Sequence, residues 1–113
     1  MTKRNAHDRA LEKIAANPGS FGFEGIIYVA VEPKLLDKSG RLVAEPDLIL
    51  KSKKGEVIII EYKGNGNDSL RERAEEQLAR ASTWFGRYEE MDLDKIQRRI
   101  ITGTDPRYKE LFK

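Results

Sequence analysis

The sequence predicts an α/β domain whose mixed sheet is flanked by helices. Three observations carry this expectation. Ile, Val and Leu concentrate in three extended runs, Ile26 to Leu36, Leu42 to Leu50 and Val57 to Lys63. A long helical stripe follows, with Leu70, Ala74, Leu78, Ala81, Trp84, Phe85 and Tyr88 stepping by three or four. A last short apolar run, Arg99 to Thr102, comes after that helix. A strand, a helix and a second strand in one sheet imply a right-handed crossover, so Val57 to Lys63 and Arg99 to Thr102 should be parallel. With a short helix at the start, the order is α-β-β-β-α-β.

Each element has a local cause. Ala6, Ala10, Leu11, Ile14 and Ala15 recur at helical spacing, and Asn17-Pro18-Gly19-Ser20 ends the pattern, because proline disfavours helical geometry in the residue before it. Lys38-Ser39-Gly40-Arg41 separates the first two extended runs, and a lysine-rich link around Lys53-Lys54-Gly55 separates the second and third, so both links read as hairpins. Val57-Ile58-Ile59-Ile60 is continuously apolar, as in a central strand covered on both faces. Gly64-Asn65-Gly66-Asn67 then breaks the chain, and Ser69 followed by Glu72 predicts a capping box at the start of the long helix. Asp105 to Lys113 suggests a terminal turn of helix.

The chain has 113 residues, enough for one domain spanning residues 1–113. Charged residues make up 35% of it, well above the roughly 25% of an average globular protein, so a small core should lie under a densely charged surface. The 21 Lys and Arg against 19 Asp and Glu leave a net charge of +2, which permits a polyanionic partner but makes any basic patch local. Without cysteine there can be no disulfide, thiolate nucleophile or Cys-ligated zinc or iron-sulfur site. The longest unbroken apolar run, Ile26 to Val31, is far shorter than the roughly 20 residues of a membrane span, and the N-terminal residues show no signal-peptide pattern, so a cytoplasmic location is expected.

Asp47, Glu61 and Lys63 are polar residues set in strand patterns that should be apolar, which is costly unless they are paired or bind something. Side chains alternate along a strand, so Glu61 and Lys63 share a face while Tyr62 points away. If the second hairpin closes with Lys51 opposite Val57, Asp47 falls opposite Glu61 on one face, with Cβ atoms roughly 4.5 to 5.5 Å apart. At an effective dielectric near 20, like charges about 4 Å apart repel by roughly 4 kcal/mol, so the pair should take up a proton or hold a cation. All-oxygen ligands favour Mg or Mn, whose bound water is acidified into a nucleophile. Lys63 would orient or deprotonate that water, or stabilise negative charge at a phosphorus centre.

At these residues, Pro46-Asp47, thirteen intervening residues and then Glu61-Tyr62-Lys63, the chain resembles the PD-(D/E)xK nuclease superfamily. The predicted element order is similar to that family's restriction-endonuclease-like core. The resemblance implies a Mg- or Mn-dependent phosphodiester hydrolase acting on DNA, with catalytic Asp47, Glu61 and Lys63. The metal ligands it implies are Asp47, Glu61 and the Tyr62 backbone carbonyl. It also implies a substrate-side glutamine on the helix after the third strand, which Gln77 matches. In size, and in its Ala10-Leu11-Glu12 helix, the chain resembles the archaeal Holliday junction resolvases. The tyrosine that follows the glutamine in RecB-like members is replaced here by Ala81. The family's auxiliary carboxylate has three candidates, Glu12, Glu24 and Glu45. A structure-specific endonuclease is expected, and a homodimer suits a single-site core that cuts two strands.

Other patterns point elsewhere. Glu32-Pro33-Lys34 also spells E-x-K but precedes the Pro-Asp pair. Gly64-x-Gly66 has Ser69 where a dinucleotide fingerprint needs glycine, so its glycines are read as a tight exit that turns backbone N–H groups toward a phosphate. His7, the sole histidine, is read as a surface residue. Lys51, Lys53 and Lys54, with Arg71 and Arg73, are candidates to follow a phosphate backbone. The competing expectation is a nuclease-like protein that binds nucleic acid, or serves as a scaffold, without cutting.

Overall fold

The computed structural model describes residues 5–65 and 67–112. Helix α1 (Ala6–Ala16) is closed at its start by Asn5, whose Oδ1 accepts the Asp8 N–H at 2.8 Å while Asp8 returns a bond to the Asn5 N–H. Strand β1 (Ile26–Val31) follows a single 3-10 turn, and β2 (Leu35–Leu36), β3 (Leu42–Ala44), β4 (Leu48–Ser52) and β5 (Val57–Lys63) come next. Helix α2 (Asp68–Tyr88), β6 (Ile96–Thr102) and the short α3 (Pro106–Glu110) complete the chain. The main sheet has the order β1-β4-β5-β6, and its three antiparallel and parallel pairings make it mixed. β5 and β6 are parallel across α2, as the strand-helix-strand pattern requires.

Two cores sandwich the sheet. Leu48, Leu50, Ile58, Ile60 and Tyr62 pack against Leu11 and Ile14 of α1 on one face. Ile49, Val57 and Ile59 pack against Leu78, Ala81 and Phe85 of α2 on the other. The unbroken apolar run of β5 is thereby buried on both sides, since a strand with helices above and below has no solvated face. Among the described residues, no helix is long and apolar enough to cross a membrane.

The structure departs from the predicted elements at two prolines. The run from Ile26 to Leu36 is two strands, because Glu32 adopts φ 50° and Pro33 removes a ladder donor. The run from Leu42 to Leu50 is likewise split around the buried Pro46. The freed β2–β3 hairpin forms its own two-stranded sheet and is pinned to α2 by the Trp84 indole N–H, which donates to the Leu36 carbonyl at 2.8 Å. The cap of α2 is Asn67 and not the expected Ser69–Glu72 box: Asn67 Oδ1 accepts the Leu70 N–H at 2.9 Å and the Ser69 hydroxyl at 3.1 Å. Asparagine caps at least as well as serine and stands two residues earlier. The last strand begins at Ile96, three residues before the predicted Arg99, and the terminal helix is Pro106–Glu110, with Lys113 outside the described residues.

Gly103 holds the C-terminal ends of β5 and β6 together. Its N–H donates to the Lys63 carbonyl at 3.0 Å. A Cβ there would lie 2.7 Å from the Gly64 carbonyl oxygen and 3.0 Å from the Tyr62 hydroxyl. Gly103→Ala is therefore expected to destabilise the protein by about 1–3 kcal/mol in chemical denaturation. Gly86→Ala, inside α2 and 3.8 Å from its nearest contact, should stabilise it by about 0.5–1 kcal/mol.

Candidate active site

The β4–β5 hairpin positions the acidic pair. Gly55, at φ 84°, closes the link, and the ladder runs Lys51 to Val57, Leu50 to Ile58, Ile49 to Ile59 and Leu48 to Ile60. The ladder ends at Leu48 opposite Ile60, and Asp47, the residue before Leu48, meets Glu61 and Tyr62 of β5 through hydrogen bonds. Pro46 ends the regular ladder at Leu48, so Asp47 stands just beyond it and meets β5 through side chains. Its backbone N–H donates to Glu61 Oε2 at 2.6 Å, and the Tyr62 N–H donates to Asp47 Oδ2 at 2.7 Å. Each carboxylate thus grips the backbone of the other's strand.

The face assignment follows from alternation. Val57 and Ile59 belong to the core under α2, so Glu61 and Lys63 project toward the α2 side, while Tyr62 belongs to the α1 core. The N–H and C=O of one strand residue leave on the same side. The Tyr62 N–H is held by Asp47, so its carbonyl emerges beside Asp47, whereas the Lys63 carbonyl turns to Gly103.

Glu61 is only 3% exposed. Burial, and next the charge of Asp47, push its carboxyl up from 4.5 to about 7, against the Asp47 N–H bond and the Lys63 charge that favour ionisation. The site is therefore an acidic pair lacking a full complement of positive charge.

His7, read from the sequence as a surface residue, is partly exposed but also reaches the acidic pair. It is not a free surface residue: its Nε2 lies 3.2 Å from Asp47 Oδ1, with its ring centroid 5.9 Å from that of Tyr62. The signal was present, since His7 stands three, four and seven residues before the buried Ala10, Leu11 and Ile14 and so shares their stripe.

Gln77 faces inward from α2, and its Oε1 is buried with no hydrogen-bond partner. Among the described residues, no group of three or more His, Cys, Asp or Glu side chains is disposed to hold a metal. Glu12 and Glu24 are exposed, Glu24 lining a cavity of about 400 Å³ beside the Lys53-Lys54 turn. The break at Pro46 removes the strand alternation that would have aligned Glu45 with Asp47. Two carboxylates and a carbonyl still suit an ion such as Mg, which binds through one or two carboxylates and keeps several waters.

The expected basic track is divided. Lys53 and Lys54 lie in the β4–β5 turn, about 17 Å along the strands from the acidic end. Lys51 sits 3.9 Å from Glu89 and lies over the rings of Tyr28 and Phe85. An antiparallel hairpin necessarily places its turn at the end away from Asp47 and Glu61. Arg71 and Arg73, in the first turns of α2, lie toward the acidic end. The phosphate-facing backbone expected at Gly64-x-Gly66 falls in part on Gly66, outside the described residues.

A carboxyl raised on folding binds its proton more tightly in the native state, so its contribution to stability is complete below pH 4.5 and is lost as pH rises through about 7. Glu61→Gln keeps an acceptor for the Asp47 N–H but carries no charge. Relative to wild type, the variant should gain up to about 3 kcal/mol at pH 8, at roughly 1.4 kcal/mol per pH unit, with the gain vanishing near pH 4. Urea denaturation at the two pH values checks this.

In comparisons with known proteins, no family model and no curated protein matches the chain.

Proposed function

We propose that this protein is a divalent-metal-dependent nuclease of the PD-(D/E)xK type, with a restriction-endonuclease-like core and DNA phosphodiesters as its substrate. The observation that carries the reading is the cross-strand meeting of Asp47 and Glu61, with Lys63 two residues beyond Glu61 on the same strand face. Asp47, Glu61 and the Tyr62 carbonyl are the residues that would hold Mg or Mn. Such an ion, when bound, supplies an acidified water and neutralises charge on the phosphate.

The remaining roles belong to the chain's own groups. His7 fixes the orientation of the Asp47 carboxylate through Oδ1, and the Tyr62 N–H fixes the other oxygen. Lys63 supplies an ammonium beside Glu61, suited to exchanging a proton with water or opposing charge on the phosphoryl oxygens. The buried, unpartnered Gln77 Oε1 is an acceptor suited to a hydroxyl or water on the substrate side. Arg71 and Arg73 provide the phosphate contacts at the same end.

One observation favours a second reading, a non-catalytic nucleic-acid-binding protein: Asp47 Oδ2 already accepts the Tyr62 N–H, Oδ1 lies 3.2 Å from His7 Nε2, and no third acid joins the pair among the described residues. Cleavage of a panel of branched, flap, single-stranded and linear duplex DNAs with Mg or Mn separates the two. The nuclease reading expects cutting that falls at least about 100-fold in Glu61→Gln and Lys63→Ala. Binding without cutting would favour the second reading, and equal cutting by wild type and both variants would assign the activity to a contaminant.

Cation binding can be read without activity. Mg at tenfold its dissociation constant should stabilise the wild type by about 1.4 kcal/mol above pH 7 and leave Asp47→Asn unchanged.

A further inference from the structure

Between α2 and β6 lies an open cavity of about 470 Å³, lined by Arg71, Glu75 and Leu78 of the helix and by Arg98, Arg99 and Ile100 of the strand. Three guanidinium groups therefore share it with one carboxylate. Arg71, Glu75 and Leu78 are spaced four and three residues apart and so form one stripe along α2. Ile96 and Ile100 pack against the core under α2, so alternation along β6 puts Arg98 on that face between them. Arg99 leaves on the other face, but its guanidinium folds back along the strand, donating to the Arg98 carbonyl at 3.1 Å and to Gln97 Oε1 at 3.3 Å. Arg71 and Arg98 are exposed, and among the described residues neither guanidinium makes a hydrogen bond or an ion pair. Arg107, by contrast, is closed by Asp105 at 3.0 Å.

The cavity adjoins the acidic pair. In the parallel ladder Ile100 lies opposite Glu61 and Arg98 opposite Ile59, so Arg98 stands on the face of Glu61 and Lys63, two residues or roughly 7 Å along the strand from the level of Glu61. We infer that this groove holds the sugar-phosphate backbone of DNA beside the Asp47–Glu61 site, with Arg71 and Arg98 as its phosphate contacts. The choice of DNA rests on the nuclease reading, whereas the excess of unpaired positive charge does not. Guanidinium forks match phosphate oxygens in pairs, and cations without a protein partner are free to replace the counterions of a phosphate chain. An acidic protein segment carries the same charge, but continuity with the Glu61–Lys63 face favours the strand being cut. Arg98 on β6 thus joins Arg71 on α2 across one groove, which the charge pattern along the chain alone does not reveal.

Fluorescence anisotropy of a labelled duplex of about 20 base pairs, titrated in EDTA so that nothing is cut, tests the assignment. Arg71→Ala and Arg98→Ala should each raise Kd at least about fivefold and flatten the slope of log K against log salt by about 0.9. Arg98→Lys, which keeps the charge, should restore most of that slope. Lys54→Ala, in the turn at the far end of the β4–β5 hairpin, should leave both quantities unchanged. Should an arginine variant fail to fold by circular dichroism, the wild type decides: amide signals of Arg71 and of Arg98 to Ile100 should shift on adding the duplex. Unchanged signals there overturn the assignment, as do wild-type affinity and slope in both alanine variants. Tighter binding of polyglutamate than of the duplex overturns it in favour of an acidic protein segment. Cutting by the wild type, with normal DNA binding in both alanine variants, defeats the groove and leaves the nuclease, whereas binding through the groove without cutting in Mg or Mn does the reverse.

Discussion

The reciprocal clasp between Asp47 and Glu61 is the constraint on which the site depends. Two short bonds, 2.6 Å from the Asp47 N–H to Glu61 and 2.7 Å from the Tyr62 N–H to Asp47, replace the ladder that Pro46 interrupts. Charged hydrogen bonds of this kind are stronger than neutral ones. They orient both carboxylates, but they do not neutralise the pair. Glu61 is left buried beside a second acid, and its affinity for a proton rises accordingly. The same imbalance is what the proposed cation would relieve.

The rest of the fold serves this arrangement. β5 is covered on both faces, so the strand bearing Glu61 and Lys63 cannot shift register without moving its entire apolar set out of the two cores. α1 buries Leu11 and Ile14 and, through the same stripe, delivers His7 to Asp47. α2 leaves β5 after a short link, packs along the opposite face and presents Gln77 inward. Gly103 admits the close approach that seals the ends of β5 and β6 next to Lys63.

Much of this was legible because it rests on local rules. The short turn containing Gly55 set the β4–β5 register, and alternation then set the faces of Glu61, Tyr62 and Lys63. The breaks at Glu32–Pro33 and Pro46 were hidden, because apolar residues continue on either side and hydrophobic runs do not record where a chain leaves its sheet. His7 was missed because a lone histidine carries little signal until a helical stripe and a facing strand are placed together. The helix cap was displaced by two residues because Asn67 competes effectively with Ser69 for the same role. The lysines of the β4–β5 turn were drawn toward the site by charge alone, although hairpin geometry already sends them to the other end.

The most direct measurement is paramagnetic broadening by Mn of the backbone amide signals. The account predicts that substoichiometric Mn erases Asp47 and Glu61 through Lys63 first, and that Asp47→Asn abolishes this selectivity while the protein stays folded. Selective broadening centred elsewhere, or the same broadening in Asp47→Asn, would contradict a shared cation seat between the two strands.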